Sequence, residues 1–242
     1  MYMNTVDIVL SPELIETYSS KPVLCIVIDV LRASSTIITA FANGARRIYP
    51  LADIKTAQKK AHAGALVGAE RNVLRCDFAM FGNDPGEYTA EKVGGQDIYF
   101  TTTNGTKTIR RCLDLGHEVI IGGFLNIDAV VRACGGRDVL CVCAGWQGKF
   151  CLEDAFFAGA LVQRLAQSHS IASDAGRMMA ELWELHRERP LDYIMGSDHF
   201  ARMARVGKEG AVPYCLTEGV INIVPTVSGS NGDEIVLRGL SY

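Results

Sequence analysis

The sequence predicts an α/β fold with a largely parallel or mixed sheet that is covered by helices on both faces. Short apolar runs rich in β-branched residues alternate with segments of helical periodicity over the first two thirds of the chain. This alternation is typical of strand–helix–strand units, whose crossover helices pack on the faces of the sheet. Beyond Ser173 the pattern becomes helical, so we expect a helix-rich C-terminal part.

The elements follow in order from these patterns. The predicted strands are Val23–Ile28, Arg47–Tyr49, Ala65–Val67, Ile98–Thr102, Glu118–Ile121 and Val139–Cys143. The predicted helices are Ser34–Asn43, Asp53–Ala63, Thr106–Leu113, Ile127–Ala133 and Leu152–Ser168. Later in the chain, GVINIVPTV predicts a further strand or edge element, and SGSNGDE predicts a turn. A buried helical stripe is predicted for Met178, Met179, Leu182, Trp183 and Leu185.

Composition narrows the class of protein. The 242 residues are 48% hydrophobic and 21% charged, as in ordinary soluble globular proteins. We expect one domain over residues 1–242, with a looser division into halves at about 1–115 and 116–242. The net charge of −3 gives no basic field for a nucleic-acid partner. No apolar run reaches the ~18 residues of a membrane span, and the N-terminus lacks a signal-peptide pattern, so the sequence predicts a cytoplasmic protein without a membrane partner.

The cysteines and histidines give weak evidence for a metal site or a catalytic residue. Several of the eight cysteines lie in apolar runs such as VLCVCAG, which predicts reduced, buried thiols, with a zinc site as the alternative. The five histidines form no recognised metal or triad motif, and we expect none of them to be catalytic. They are His62, His117, His169, His186 and His199.

Polar residues follow the first predicted strand in the stretch VIDVLRASSTI. In open α/β sheets, ligands bind beyond the carboxyl ends of strands, which is where Asp29 would emerge. Ser34 or Ser35 would cap the next helix, and Arg32 offers donors suited to phosphate or sulfonate oxygens. The alternative is a capped helix with an incidental aspartate.

The segment YFTTTNGTKTI has the composition of an anion-binding loop. Asn104 and Gly105 resemble a hairpin turn, but the residues after them have helical periodicity. A glycine-containing loop with hydroxyls at a helix N-terminus can bind an anion, although the Walker pattern is absent.

Two pairs of adjacent charged residues complete the set of polar strand ends. Glu70 and Arg71 come after a strand, where a surface ion pair is the alternative to metal or anion binding. Glu153 and Asp154 open a long helix, where the helix dipole alone would favour acids. Together with Asp29 these carboxylates could hold a hard cation such as Mg²⁺, which prefers oxygen ligands.

Five motifs in order make the chain resemble the 2-phosphosulfolactate phosphatase family over nearly its whole length. The motifs are VIDVLRASSTI, GAERN, FGNDPGEY, TTTNGT and CLEDAFFAG. The resemblance implies a three-layer α/β/α fold and a Mg²⁺-dependent phosphatase that hydrolyses (R)-2-phospho-3-sulfolactate, in coenzyme M or sulfolactate metabolism. It implies a small anionic phosphomonoester as partner, and a homodimer is compatible with it.

The resemblance also implies site residues. Asp29, Arg32 and Glu153 would be catalytic, and Asp29, Glu70 and Asp154 would bind the metal ion. Substrate-binding residues would be Arg32, Ser34, Ser35, Arg71, Asn83, Thr103, Asn104, Gly105 and Thr106. The sequence does not decide whether Asp29 or Glu153 acts as nucleophile or general base.

Two departures from the family pattern leave the substrate open. Met80 replaces a usual aspartate, and Asp84 replaces the serine before Pro85. A phosphatase for another small acidic phosphomonoester is therefore one alternative, and a non-catalytic anion- or nucleotide-binding protein is another. A dehalogenase-like mechanism with Asp29 as nucleophile needs a second aspartate two positions later, where this chain has Leu31.

Overall fold

Eleven strands join in one mixed sheet in the computed structural model, which describes residues 3–18, 21–231 and 234–242. The strands are β1 (Asn4–Val9), β2 (Leu24–Ile28), β3 (Arg47–Pro50), β4 (Leu66–Arg71), β5 (Leu74–Arg75), β6 (Asp97–Thr101), β7 (Glu118–Gly122), β8 (Val139–Cys143), β9 (His169–Ile171), β10 (Ile223–Asn231) and β11 (Glu234–Ser241). The helices are α1 (Ile15–Tyr18), α2 (Ala33–Ala42), α3 (Ile54–His62), α4 (Ala90–Val93), α5 (Gly105–Asp114), α6 (Ile127–Cys134), α7 (Leu152–Leu165), α8 (Asp174–His186), α9 (Pro190–Ile194), α10 (Asp198–Arg205) and α11 (Val212–Cys215).

The sheet consists of two parallel sets of strands joined by an antiparallel hairpin, with the short strand β5 antiparallel to β4 at one edge. Its strand order is β5, β4, β6, β3, β11, β10, β7, β2, β8, β1 and β9. The hairpin β10–β11 pairs antiparallel with β3 on one side and with β7 on the other. Strand β2 lies between β7 and β8, so residues on both sides of position 115 contribute neighbouring strands. The predicted mixed sheet is confirmed.

Helices cover both faces of this sheet, as expected for an α/β fold. Side chains of a strand alternate between faces, so Leu24, Ile26 and Ile28 of β2 pack into one apolar cluster and Cys25 and Val27 into another. The first cluster includes α6 and α7, and the second includes parts of α2 and α5. Burial on both faces explains why β2 is a continuous apolar run.

Helix α7 is buried along most of its length because α8 packs directly on it. A Cβ at Gly159 would lie 2.1 Å from the carbonyl oxygen of Met179, so only glycine allows this approach. Met179 and Trp183 are buried as predicted. The predicted stripe is wrong for Met178 and Leu185, which are 54% and 77% exposed, because they lie on the outer side of α8.

Comparison of the predicted with the observed strands shows which strands the sequence pattern alone identifies. The strand predicted at Val139–Cys143 has those bounds, and the strand in GVINIVPTV is confirmed as β10. Strands β1, β5, β9 and β11 were not predicted. The turn predicted in SGSNGDE falls partly on residues 232–233, outside the described residues, and its flanks belong to β10 and β11.

The structure gives the pairing state of the cysteines and the lengths of the helices. All eight cysteines are unpaired, as predicted. Within the three described ranges, no helix has both the length and the apolar character needed to cross a membrane.

Candidate active site

A polar cavity lies where the chain leaves β2, β4, β6 and β8. Its lining consists of Asp29, Leu31, Arg32, Glu70, Val73, Asn83, Thr102, Thr103, Asn104, Gly145, Trp146, Cys151, Glu153, Asp154 and His199. The four polar strand ends singled out in the sequence therefore contribute to one site. Gly105 permits this, because a Cβ there would lie 2.8 Å from Oδ2 of Asp29.

The turn between β2 and α2 fixes Asp29 through hydrogen bonds of its own backbone and side chain. The Asp29 N–H donates to Oγ of Ser34 (2.9 Å), and the Ser34 N–H donates to the Asp29 carbonyl (2.8 Å). Oδ1 of Asp29 accepts from the Ala33 N–H at 3.2 Å. The peptide bond between Leu31 and Arg32 in this turn is cis. Ser34 thus positions Asp29 without lining the cavity itself.

Glu70 holds a tight turn at the end of β4. Its Oε1 accepts the N–H of Val73 at 2.5 Å. Asn72 and Val73 have φ values of 53° and 72°, which are unfavourable for a β-branched residue. The carboxylate therefore stabilises a strained turn and still faces the cavity.

Arg32 is a buried cation with a carboxylate partner. Only 3% of it is exposed, and its Nη1 donates to Oδ2 of Asp84 at 2.9 Å. Oδ1 of Asp84 accepts the Gly86 N–H at 3.1 Å, which holds the carboxylate in place. Asp84, which departs from the expected family pattern, thus places a negative charge beside the Arg32 guanidinium. Met80, the other departure, is 57% exposed and does not line the cavity.

Four buried oxygens of the cavity have no hydrogen-bond partner in the part of the chain that the structure describes. They are Oδ1 of Asn83, Oγ1 of Thr102, Oγ1 of Thr103 and Oε2 of Glu153. Buried polar atoms are nearly always paired in folded proteins, so such a group indicates a site completed by water or a ligand. Neighbouring Asn104 is already engaged, since its Oδ1 accepts the Gln147 N–H at 3.1 Å.

The adjacent acids at the start of α7 have different surroundings. Asp154 accepts the Val30 N–H at 2.9 Å with Oδ1 and the Gly145 N–H at 3.0 Å with Oδ2, so it ties two loops together. Oε1 of Glu153 contacts Nδ1 of His199 at 2.5 Å, and its other oxygen is unpartnered. Glu153 is therefore the more available of the two.

Burial among neighbouring acids raises the pKa values of two carboxyl groups. The pKa of Asp29 rises to about 6, first because burial removes its water, and further because Glu70 and Glu153 lie near. Burial raises the pKa of Asp154 well above its usual range, and Glu153 and Asp29 add to the rise. Acids that repel one another in this way are stabilised by a bound cation.

Most of the site residues predicted from the sequence line the cavity, and the others are not part of its lining. Those at the lining are Asp29, Arg32, Glu70, Asn83, Thr103, Asn104, Glu153 and Asp154. Ser34, Ser35, Arg71, Gly105 and Thr106 do not line it. The Arg71 guanidinium instead donates to Oγ1 of Thr101 at 3.1 Å and to the Glu70 carbonyl at 2.5 Å. Ser35 Oγ donates to the Val30 carbonyl at 2.8 Å.

The lining residues that were not expected from the sequence include His199, Cys151 and Trp146. His199 lies on α10, far along the chain from its partner Glu153, and no spacing connects them. Cys151 precedes the CLED acids but was interpreted only as a buried thiol. Trp146 packs its ring against the Arg202 guanidinium, 4.2 Å from the ring centroid.

Comparison with known proteins gives consistent matches. Residues 9–230 match the family described as 2-phosphosulpholactate phosphatase. A probable 2-phosphosulfolactate phosphatase of Thermotoga petrophila is 39% identical over 92% of this chain and 95% of its own length. A protein of the same name from Caldanaerobacter subterraneus subsp. tengcongensis is 34% identical over 87% of this chain and 92% of its own. Another from Clostridium tetani is 30% identical over 91% and 96%.

Proposed function

Because the chain belongs to the 2-phosphosulfolactate phosphatase family, we propose that it hydrolyses the phosphate monoester of (R)-2-phospho-3-sulfolactate, giving 3-sulfolactate and phosphate. The observation that carries this proposal is the cavity itself, in which a buried arginine and unpartnered polar atoms lie beside clustered carboxylates. An anionic ester would supply acceptors for the Arg32 guanidinium and for the hydroxyls of Thr102 and Thr103.

The residues of the cavity fit a hard divalent cation. Asp29, Glu70 and Asp154 share the lining, and two of them have raised pKa values. We propose that Mg²⁺ is held by Asp29, Glu70 and Asp154, with water completing its shell. The bound ion would supply charge neutralisation at the phosphoryl oxygens.

The protein groups would act on the substrate in distinct ways. Arg32 would hold an anionic group of the substrate, and the two threonine hydroxyls would donate to oxygens whose negative charge grows in the transition state. Asp29 is the preferred base, because its carboxylate lines the cavity where it could take a proton from an attacking water. Glu153, held by His199, is the alternative for that step.

A second candidate substrate class follows from Asp84. Its ion pair with Arg32 offsets the buried positive charge that would otherwise attract both phosphate and sulfonate. A phosphomonoester with fewer negative charges, such as phospholactate or phosphoglycolate, is favoured by this pairing. A role in coenzyme M or sulfolactate metabolism depends on which substrate class is preferred.

Phosphate release from a substrate panel tests these proposals. We would compare phosphosulfolactate, phospholactate and phosphoglycolate, each with Mg²⁺ and with a chelator. Mg²⁺-dependent release with the highest kcat/KM for phosphosulfolactate is the expected result. A higher value for a substrate without sulfonate would favour the second candidate, and binding without any hydrolysis would favour an anion-binding protein.

A dehalogenase-like mechanism lacks its acid in this structure. Leu31, two positions after Asp29, is 3% exposed and lines the cavity with an apolar side chain. A covalent phosphoryl group trapped on Asp29 would be needed to support that mechanism.

A further inference from the structure

The wall of the cavity at the start of α7 brings together a thiol, a carboxylate and an imidazole. Cys151, Glu153 and His199 each place one potential ligand atom within 4.8 Å of the other two. Among the residues that the structure describes, this is the only trio of potential ligands grouped so tightly. The oxygens of Asp29, Glu70 and Asp154 are not grouped within this distance.

We propose that Cys151, Glu153 and His199 form a binding site for a borderline divalent cation such as Zn²⁺, separate from the carboxylates assigned to Mg²⁺. Thiolate, imidazole and carboxylate are the ligands that zinc takes, whereas Mg²⁺ avoids sulfur. Three protein ligands with one position left for water is a common arrangement for zinc. This inference goes beyond the phosphatase activity and does not depend on it.

The size of the cluster suits such an ion. Zinc with bond lengths of about 2.0–2.3 Å in a tetrahedron places its ligand atoms roughly 3.3–3.6 Å apart. The trio is within reach of that spacing, and the contact of 2.5 Å between Glu153 and His199 has to open slightly. His199 can make this adjustment, because 14% of its side chain is exposed while Glu153 is fixed at 1%.

An unpartnered oxygen independently indicates a missing ligand at this point. Oε2 of Glu153 is fully buried and has no hydrogen-bond partner, which is costly unless a cation or water completes it. His199 lies at the start of α10, which Ser197 Oγ caps by accepting the Phe200 N–H at 3.1 Å, and Cys151 and Glu153 lie at the start of α7. The ligands are therefore held by two helix starts rather than by a free loop.

The trio is also accessible from outside the cavity. Cys151, Glu153 and His199 line a second, more open recess together with Trp146 and Arg202. A cation can thus reach the site without crossing the proposed substrate position.

Binding would be a proton-for-metal exchange. Burial raises the pKa of the Cys151 thiol, and the nearby Asp154 and Glu153 carboxylates raise it further, so the sulfur carries its proton when no metal is bound. The incoming dication forms a metal–sulfur bond as the S–H bond breaks, and the proton leaves to solvent. No electron is transferred in this step.

Cobalt provides a direct readout of the thiolate ligand. We would titrate the chelator-treated full chain with Co²⁺ in excess Mg²⁺ and without substrate. The expected result is one equivalent of bound Co²⁺ with a sulfur-to-cobalt charge-transfer absorption and the visible bands of a tetrahedral ion. Absence of the charge-transfer absorption in the wild-type protein would overturn the proposal.

Variants assign the ligands. Cys151→Ser should abolish the charge-transfer absorption and weaken Zn²⁺ binding by at least about tenfold, and His199→Ala should weaken binding to a similar degree. Cys76→Ser is the matched control, since Cys76 lies outside the cavity lining, and it should keep the wild-type spectrum. A spectrum that persists in Cys151→Ser but disappears in Cys76→Ser contradicts the assignment.

A stability measurement keeps the test decisive if a variant folds poorly. Zn²⁺ in excess should raise the Tm of the wild-type protein and of Cys76→Ser, because a ligand of the native state stabilises it, and should leave the Tm of Cys151→Ser unchanged. Equal rises in all three proteins would overturn the site. Since no substrate is present, loss of phosphatase activity cannot imitate either result.

Discussion

Two groups of polar side chains line the same cavity but differ in how completely their hydrogen bonds are made. Oxygens of Asp154 and Glu70, together with nearby Ser34, accept backbone N–H groups and hold the loops in place. The hydroxyl oxygens of Thr102 and Thr103 have no partner among the described residues although they are buried. The residues whose hydrogen bonds are satisfied fix the shape of the site, and the unpaired hydroxyls remain available to bind a ligand. Replacing residues of each group separates these two tasks.

Asp29 accepts a backbone N–H with Oδ1 and also lines the cavity as a proposed metal ligand and base, so its replacement should have the largest effect on activity. Asp29→Asn keeps the shape of the side chain but cannot take a proton or hold a cation as a carboxylate does. We expect kcat/KM for the best substrate to fall about 10³-fold or more, measured as Mg²⁺-dependent phosphate release. Circular dichroism should show an unchanged fold. Wild-type turnover by this variant would exclude a catalytic role for Asp29.

Removing a hydroxyl from each group should give opposite results. Thr102→Val deletes a hydroxyl that has no partner, so we expect activity to fall about 10²-fold with an unchanged or higher free energy of unfolding. Ser34→Ala leaves the Asp29 N–H without its acceptor and should cost about 1–3 kcal/mol of that free energy. Urea unfolding and phosphate release measure the two quantities. The comparison fails if Thr102→Val is the less stable of the two and remains fully active.

Replacing Asp84 tests whether its ion pair with Arg32 influences which substrate the protein prefers. Asp84→Ser removes the partner of Arg32 yet keeps an oxygen that can accept the Gly86 N–H. We expect KM for phosphosulfolactate to fall about three- to tenfold, with little change for phosphoglycolate, because the freed guanidinium attracts the more highly charged ester. Asp84→Asn is the control that keeps the side-chain shape without the charge. Unchanged KM values for both substrates would show that the ion pair does not affect selectivity.

The sequence predicted the strand ends well because they depend on local patterns. Strand β8, the start of α7 and the helix after TTTNGT follow from apolar runs and periodicity, and their polar residues meet at one cavity. The placement of Arg71 was also predictable in principle. Successive side chains of a strand face opposite sides, so with Glu70 facing the cavity in β4, Arg71 has to face away.

The features that the sequence did not predict depend on contacts between residues far apart in the chain. His199 meets Glu153 only because α10 packs near the start of α7, and no sequence spacing indicates that contact. Strand β1 was missed because its polar residues interrupt the apolar run, and it is recognised only by pairing with β8 and β9. The buried Arg32–Asp84 pair likewise joins residues from two separate loops.

The final and smallest effect concerns the pH dependence of stability, which should differ in sign between the site and the surface. The pKa of Asp29 is about 6 in the folded protein against about 3.9 in the unfolded chain, so its contribution is fully present below about pH 4 and is lost as pH rises through 6. The pKa of Asp97 is lowered to about 2 by hydrogen bonds from Arg46 and then Arg47. Its contribution is present above about pH 4 and is lost as pH falls through 2.

Urea unfolding in the presence of a chelator measures this difference. Between about pH 4 and pH 6, Asp29→Asn should become progressively more stable than the wild-type protein, because the variant lacks the carboxylate whose ionisation is disfavoured by burial. Asp97→Asn should be slightly less stable than wild type at neutral pH, and that deficit should shrink as pH falls toward 2. Parallel pH profiles for the two variants would mean that the cavity does not disfavour ionisation of its acids. Addition of Mg²⁺ should reduce the advantage of Asp29→Asn, because a bound cation stabilises the carboxylate that the variant lacks.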